Sequence, residues 1–207
     1  MIIEADGKSI PGSAHPYQDR IFLNRERQVF LVADGVSRSS HGDGGLAAGL
    51  ILGMVEEEVE KGADLSTAVI KANDHLVKRR GWDVRVGETT FTGCLIKDDV
   101  ANIVNVGDSP AYLFRKASNV RLYTEDKDPR RGYLTQVIGH PNISAHSATI
   151  DLQPGDVIAL MTDGINKLDV GAMARPWPVK KIVDMVMESQ SKLGYDDDKS
   201  IIVIRLS

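Results

Sequence analysis

The order of secondary-structure patterns along the chain predicts an α+β protein, in which helices cover antiparallel sheets. Strand-like segments follow one another with only short polar turns between them, which favours antiparallel pairing over a doubly wound parallel sheet. Helical periodicity is grouped in the sequence and does not alternate with the strands. Three strands are apolar at nearly every position, so we expect both of their faces to be covered, at 29–33, 157–161 and 201–204.

The first half of the chain predicts a hairpin followed by two helices. Two β-prone runs are separated by a polar turn and are expected to pair, at 20–23 and 29–33. Two segments with helical spacing follow, at 46–61 and up to Leu76, and Asp64 or Ser66 is the predicted N-cap of the second.

The second half predicts strands, one more helix and a last strand. The strand-like segments are 89–96, 100–106, 111–114, 120–123, 147–152 and 157–161, and we expect the last two to pair around the turn 153–156. A helix at 178–189 and a strand at 201–206 complete the order. No linker or repeat divides the chain, so one domain is expected over 1–207.

Composition and charge exclude several classes of protein. The chain has 29 acidic and 25 basic side chains, so we expect no partner nucleic acid and no anionic membrane surface. No segment has the apolar length of a membrane span, and no signal peptide is recognisable, which predicts a cytoplasmic protein. The single cysteine, Cys94, lies in an apolar run and predicts a buried small side chain, not a nucleophile.

Aspartates stand at the ends of the apolar strands. Asp34 and Asp163 each follow such a strand and precede glycine, and Asp108 repeats the pattern loosely. Asp19 begins a strand, and three aspartates at 196–198 lead into the last one. One Asp-Gly pair is best explained as a tight turn. A set of them at buried strand ends would repel unless cations meet it, which predicts a carboxylate site for Mg²⁺ or Mn²⁺ and hydrolysis of an anionic ester.

Eight segments, in order along nearly the whole chain, resemble those of the type-2C (PPM) serine/threonine protein phosphatases. They are QDR (18–20), FLVADGV (30–36), GETT (87–90), ANIVNVGDSPAYL (101–113), TED (124–126), LTQVIG (134–139), LQPGD to TDGI (152–165) and DDKSIIV (197–203). The family counterparts of three of these segments are NVGDSRAYL, TEDH and LTRALG.

The resemblance implies a four-layer αββα sandwich of two antiparallel sheets, with two or three Mn²⁺ or Mg²⁺ ions at one edge. It implies metal ligands at Asp19, Asp34, Gly35, Asp108, Asp163 and Asp197. Asp34 and Asp163 would be the catalytic residues, and Asp108 would serve a third, weaker ion. A water bridging two ions would attack phosphorus directly.

The chain departs from the family pattern in its substrate-binding region. Ala14 stands where the family usually has an arginine that grips the substrate phosphate. His15 and Arg38 are the predicted substrate-binding replacements, and Arg20 is a further candidate. The span from Asp163 to the final strand, which carries a substrate-selecting flap in the family, is short.

Three interpretations follow from the sequence. The first is an active phosphatase acting on phosphoserine and phosphothreonine in proteins, as a monomer in signalling opposite a cognate serine/threonine kinase. The second is a catalytically weak or inactive phosphatase-like domain that binds or regulates, which Ala14 and the short flap favour. The third is a noncatalytic sandwich with turn aspartates. The retained Asp34, Asp163 and Asp197 favour the first, because clustered carboxylates are costly without a function.

Overall fold

Two five-stranded antiparallel sheets lie face to face, and helices cover the outer side of each. The computed structural model describes residues 1–37, 42–116, 118–123, 125–165, 168, 170–191 and 196–207. The layers therefore run helix, sheet, sheet, helix. This arrangement confirms both the predicted α+β class and the four-layer sandwich.

The elements follow the predicted order closely. The strands are β1 (Ile3–Ile10), β2 (Arg20–Asn24), β3 (Val29–Ala33), β4 (Phe91–Lys97), β5 (Val100–Val106), β6 (Ala111–Arg115), β7 (Ser118–Arg121), β8 (His146–Asp151), β9 (Val157–Met161) and β10 (Lys199–Leu206). The helices are α1 (Gly44–Glu60), α2 (Leu65–Arg80), α3 (Val170–Met173) and α4 (Val179–Ser191). Sheet A has the strand order β1-β10-β9-β6-β7, and sheet B has the order β2-β3-β4-β5-β8.

Strand β3 shows why the central strands are apolar throughout. Successive side chains point to opposite faces of a strand, so Phe30 and Val32 enter the core between the sheets. Val29 and Leu31 instead pack against α1 and α2. All four side chains are fully buried, which confirms the expectation that both faces of this strand are covered.

The N-caps of the two long helices are aspartates. The Asp43 carboxylate accepts hydrogen bonds from the amides of Gly45 (2.8 Å) and Leu46 (3.2 Å) at the start of α1. Asp64 accepts one from the amide of Thr67 (2.9 Å) at the start of α2, so of the two predicted caps the structure selects Asp64.

Two features of the strands differ from the prediction. The prediction of a hairpin between 147–152 and 157–161 is wrong. Strand β8 pairs with β5 in sheet B, whereas β9 lies between β10 and β6 in sheet A. The turn at 153–156 thus carries the chain from one sheet to the other. Strand β1 was not predicted, and it pairs with β10 over eight residues. Helix α3 was also missed.

Two expectations from composition concerned the cysteine and membrane-spanning segments. Cys94 is fully buried in the core between the sheets, and that burial raises the pKa of its thiol. Among the described helices, none combines the length and the apolar character that crossing a bilayer needs.

The core between the sheets predicts the effect of a truncation in β10. Ile202 is fully buried there, so Ile202→Ala should lower the free energy of unfolding by about 2–5 kcal/mol, measured by urea denaturation. Ile2→Ala is the matched control, because that side chain is 74% exposed. Equal losses in the two variants would contradict this assignment of the core.

Candidate metal centre

Five of the predicted site residues line one open pocket at the edge of the two sheets. The pocket has a volume of about 430 Å³, and its walls include Asp34, Gly35, Asp108, Asp163 and Asp197. Asp34 leaves β3 in sheet B and Asp163 follows β9 in sheet A. Because the two sheets face each other, carboxylates that are far apart in sequence lie close together.

The backbone of Asp34 is held by the two threonines that precede β4. The Asp34 amide donates to the Thr90 hydroxyl (3.0 Å), and the Asp34 carbonyl accepts from the Thr90 amide (2.8 Å) and the Thr89 hydroxyl (2.8 Å). Gly35 lies directly against the start of α1, where a Cβ atom would stand 2.3 Å from the carbonyl carbon of Gly44. Only glycine fits this position, so the backbone that follows Asp34 packs directly against the start of α1.

Asp19 immediately precedes β2 and is fully buried. Its Oδ2 atom accepts hydrogen bonds from the hydroxyls of Thr162 (2.8 Å) and Ser200 (2.7 Å). Its Oδ1 atom is also buried and has no hydrogen-bond partner among the residues that the structure describes. A buried carboxylate oxygen without a partner is costly, and a cation is the partner that it would accept best.

Asp197 and Asp198 have different surroundings. Asp198 is buried and accepts three backbone amides, from Gly12 (2.7 Å), Gln18 (2.6 Å) and Asp19 (3.3 Å). It thereby ties the segment 12–19 to the residues that immediately precede β10. The sequence analysis noted Asp198 only as one of three aspartates before the last strand and missed this structural role.

The two predicted substrate-binding residues are His15 and Arg38, and the structure describes only the first. His15 Nε2 lies 2.7 Å from Asp197 Oδ1, so its ring faces a candidate metal ligand. Arg38 lies outside the described residues. Substrate binding by His15 or Arg38 therefore stays a prediction.

Lys127 is a member of the site that sequence reasoning missed. Its ammonium donates to Asp108 Oδ2 (2.7 Å) and lies 3.8 Å from Asp163 Oδ2. Burial opposes the charge on Lys127, but the hydrogen bond and negative charge of Asp108 outweigh it and raise the pKa. The position after the TED segment, where the family has histidine, was the available signal.

Burial and mutual repulsion raise the pKa of the central carboxyls. The pKa of Asp34 lies well above its ordinary value because of burial and the charges of Asp19, Asp163, Asp197 and Asp108. Burial, followed by neighbouring charges, raises the pKa of Asp163 to about 6. Burial, opposed by its two hydroxyl donors, raises the pKa of Asp19 to about 7.

The donor set suits a hard divalent cation. As the described side chains stand, no three acidic, histidine or cysteine groups enclose a point where one ion would touch them all. Binding an ion would therefore draw the carboxylates inward. The excess of negative oxygens, with the unpartnered Oδ1 of Asp19, fits Mg²⁺ or Mn²⁺.

These raised pKa values predict how the stability of the protein in EDTA depends on pH. Between the ordinary aspartate pKa and about pH 7 the folded protein holds more protons than the unfolded chain, so its stability falls as pH rises. Asp34→Asn removes one of the repelling charges. Its melting temperature in EDTA should exceed that of wild type at pH 8, and the difference should shrink towards pH 4.

The control for this measurement is Asp151→Asn, since Asp151 is an exposed residue at the end of β8. It should melt as wild type does at both pH values. An Asp34→Asn protein that melts below wild type at pH 8 would show that the carboxylates do not repel one another as described.

Comparison with known proteins agrees with this architecture. Residues 24–207 match the family described as stage II sporulation protein E (SpoIIE). No curated protein sequence matches the chain significantly.

Three solved structures share the fold. The serine/threonine phosphatase PstP/Ppp of Mycobacterium tuberculosis is 20% identical, with all of both chains covered and a TM-score of 0.87. The PPM Ser-Thr phosphatase MsPP of Mycobacterium smegmatis, in complex with cacodylate, is 24% identical, with 99% and 98% of the chains covered and a TM-score of 0.84. The catalytic domain of PstP in complex with two manganese ions is 18% identical, with 99% of each chain covered and a TM-score of 0.85.

At these identities the solved structures establish the shared fold, while the family match covers most of the chain. The predicted PPM relationship is thereby confirmed. The chain belongs to the SpoIIE family, and its fold is that of the PPM-type phosphatases.

Proposed function

We propose that this protein is a metal-dependent phosphatase that hydrolyses phosphoserine and phosphothreonine in proteins. The observation that carries the proposal is the convergence of Asp34, Asp163 and Asp197 on one open pocket in a PPM-type domain. Burial and the negative charges of neighbouring aspartates both raise the pKa of Asp34, which supports a site where negative charge is concentrated. A divalent cation is the partner that such a site requires.

The proposed ligands of the ions are Asp19, Asp34, the Gly35 carbonyl, Asp163 and Asp197. Mn²⁺ and Mg²⁺ both suit these oxygens, and the structurally similar PstP domain was crystallised with two manganese ions. When bound, such ions supply a nucleophilic water near neutral pH and offset the charge of the phosphoryl group.

The residues of this chain prepare the site in distinct ways. Thr89 and Thr90 hold the backbone of Asp34, so its carboxylate projects from a rigid strand end. Thr162 and Ser200 orient Asp19 by donating to one of its oxygens, which leaves the other free for an ion. Fixed ligands lower the cost of reorganisation during the reaction.

The wall of the pocket can receive a phosphorylated side chain. Arg131 and Tyr133 line it, and the Arg131 guanidinium donates to the Tyr133 hydroxyl (3.2 Å). A cation at the rim attracts a phosphate dianion, which partly offsets the absence of an arginine at Ala14. We further propose a signalling role in the cytoplasm, as a monomer acting opposite a cognate serine/threonine kinase.

Ala14 and the short flap also support a second candidate, a domain that binds phosphoproteins with little or no turnover. Such a domain would retain phosphopeptide affinity and lack phosphate release. Measurement of both quantities on one protein sample separates the two candidates.

Activity is tested on a phosphothreonine peptide and on p-nitrophenyl phosphate. Wild type should release phosphate with Mn²⁺ and lose this activity in EDTA. Asp34→Ala and Asp163→Ala should each lower kcat by at least 100-fold, on the order of the loss of a group that contacts the reacting phosphate. Circular dichroism should show that both variants are folded.

Asp151→Ala serves as the matched aspartate control, because this exposed residue lies away from the pocket. It should keep the wild-type rate. Equal, metal-independent rates in wild type and in the two site variants would refute the proposal. Peptide binding without phosphate release would favour the second candidate.

A further inference from the structure

Lys127 forms a close ion pair with Asp108 in the wall of the pocket. The Lys127 ammonium donates to Asp108 Oδ2 at 2.7 Å, and it also lies 3.8 Å from Asp163 Oδ2. The Asp108 side chain is only 6% exposed, and about a third of the Lys127 side chain reaches solvent. One positive charge thus lies between a buried carboxylate and a central residue of the site.

The backbone holds Lys127 at this position. The preceding residue, Asp126, accepts the amide of Gly107 at its Oδ2 atom (3.0 Å), and its own amide donates to the Gly107 carbonyl (3.2 Å). Gly107 directly precedes Asp108. The neighbours of the two ion-pair partners are therefore fastened to each other by two hydrogen bonds, which limits how far Lys127 and Asp108 can separate.

Gly107 strengthens this constraint. Its φ angle is +102°, and a Cβ atom there would lie 2.9 Å from the Thr90 methyl group. Both the positive φ angle and the lack of room for a Cβ atom therefore require glycine at this position. The turn that carries Asp108 is consequently packed against the same threonine that holds Asp34.

We propose that the Lys127 ammonium is a built-in cation of this site, taking the place beside Asp108 where a third metal ion would otherwise bind. The chain then holds two ions, and Asp108 is a partner of lysine and not a metal ligand. This inference rests on the proposed function. It replaces the expectation that Asp108 serves a third ion.

Charge and ligand supply both support two ions over three. A lysine amine is protonated at neutral pH, and a divalent ion next to it would be repelled across a partly desolvated distance. Mg²⁺ and Mn²⁺ also need several oxygen ligands, whereas one Asp108 oxygen is already engaged by Lys127. Lys127 acts as a positioning residue that orients Asp108 and neutralises part of the charge near Asp163.

Metal stoichiometry tests this inference without reference to activity. Mn²⁺ binding is measured by isothermal titration calorimetry and by equilibrium dialysis with the full chain. Wild type and Lys127→Arg should bind two ions. Lys127→Met keeps the approximate length of the side chain and removes its charge, so this variant should bind a third ion, with lower affinity than the first two. The double variant Lys127→Met with Asp108→Asn should again bind two ions. Lys127→Gln repeats the test if Lys127→Met does not fold.

Three bound ions in wild type, reduced to two by Asp108→Asn, would overturn the inference. So would a stoichiometry that stays at two in both folded neutral variants of Lys127. Phosphate release by the same samples keeps the two proposals apart. Two ions without turnover would refute the proposed function alone, turnover with a third ion at Asp108 would refute the inference alone, and no bound Mn²⁺ would refute both.

Discussion

Repulsion among the aspartates at the edge of the two sheets is the constraint on which the rest of the site depends. Some of these carboxylates are satisfied by the protein itself. Asp108 has the Lys127 ammonium, and Asp198 has three backbone amides. Others lie close enough to repel one another, and the buried Oδ1 of Asp19 has no hydrogen-bond partner in the described part of the chain. The lysine partner of Asp108 and the three amide partners of Asp198 distinguish these two acids from those proposed to bind metal.

Much of the fold was predictable because its central strands are buried on both faces. The uninterrupted apolar runs of β3 and β9 identify strands inside a layered structure, and both were predicted with the correct bounds. Strand β1 escaped prediction because its sequence, IEADGKSI, mixes polar residues and glycine with the apolar ones. The pairing of β8 and β9 was mispredicted, because a Pro-Gly turn does not show whether the chain stays in one sheet or crosses to the other.

The candidate site was predictable where strand ends determine it, and not where loops do. Asp34 and Asp163 follow buried strands, so their meeting at one edge follows from the layered fold. Lys127 and Asp198 act through contacts between segments distant in sequence, which no local pattern reveals. Lys127 stands at a position where the family has histidine, and only the structure shows that its charge points to Asp108.

The Asp198 carboxylate has a consequence for the whole amino-terminal segment. It accepts the backbone amides of Gly12, Gln18 and Asp19, while the adjacent Asp197 faces both His15 and the pocket. The amides of Ser13 and Ala14 add two more bonds, to the carbonyl of Asp196. Thermodynamic linkage is reciprocal, so the ordering of this segment and the binding of the proposed ions would share one coupling free energy. A macromolecule that binds residues 12–18 would change the affinity of the protein for the ions by some factor. The ions would change the affinity of the protein for that macromolecule by the same factor.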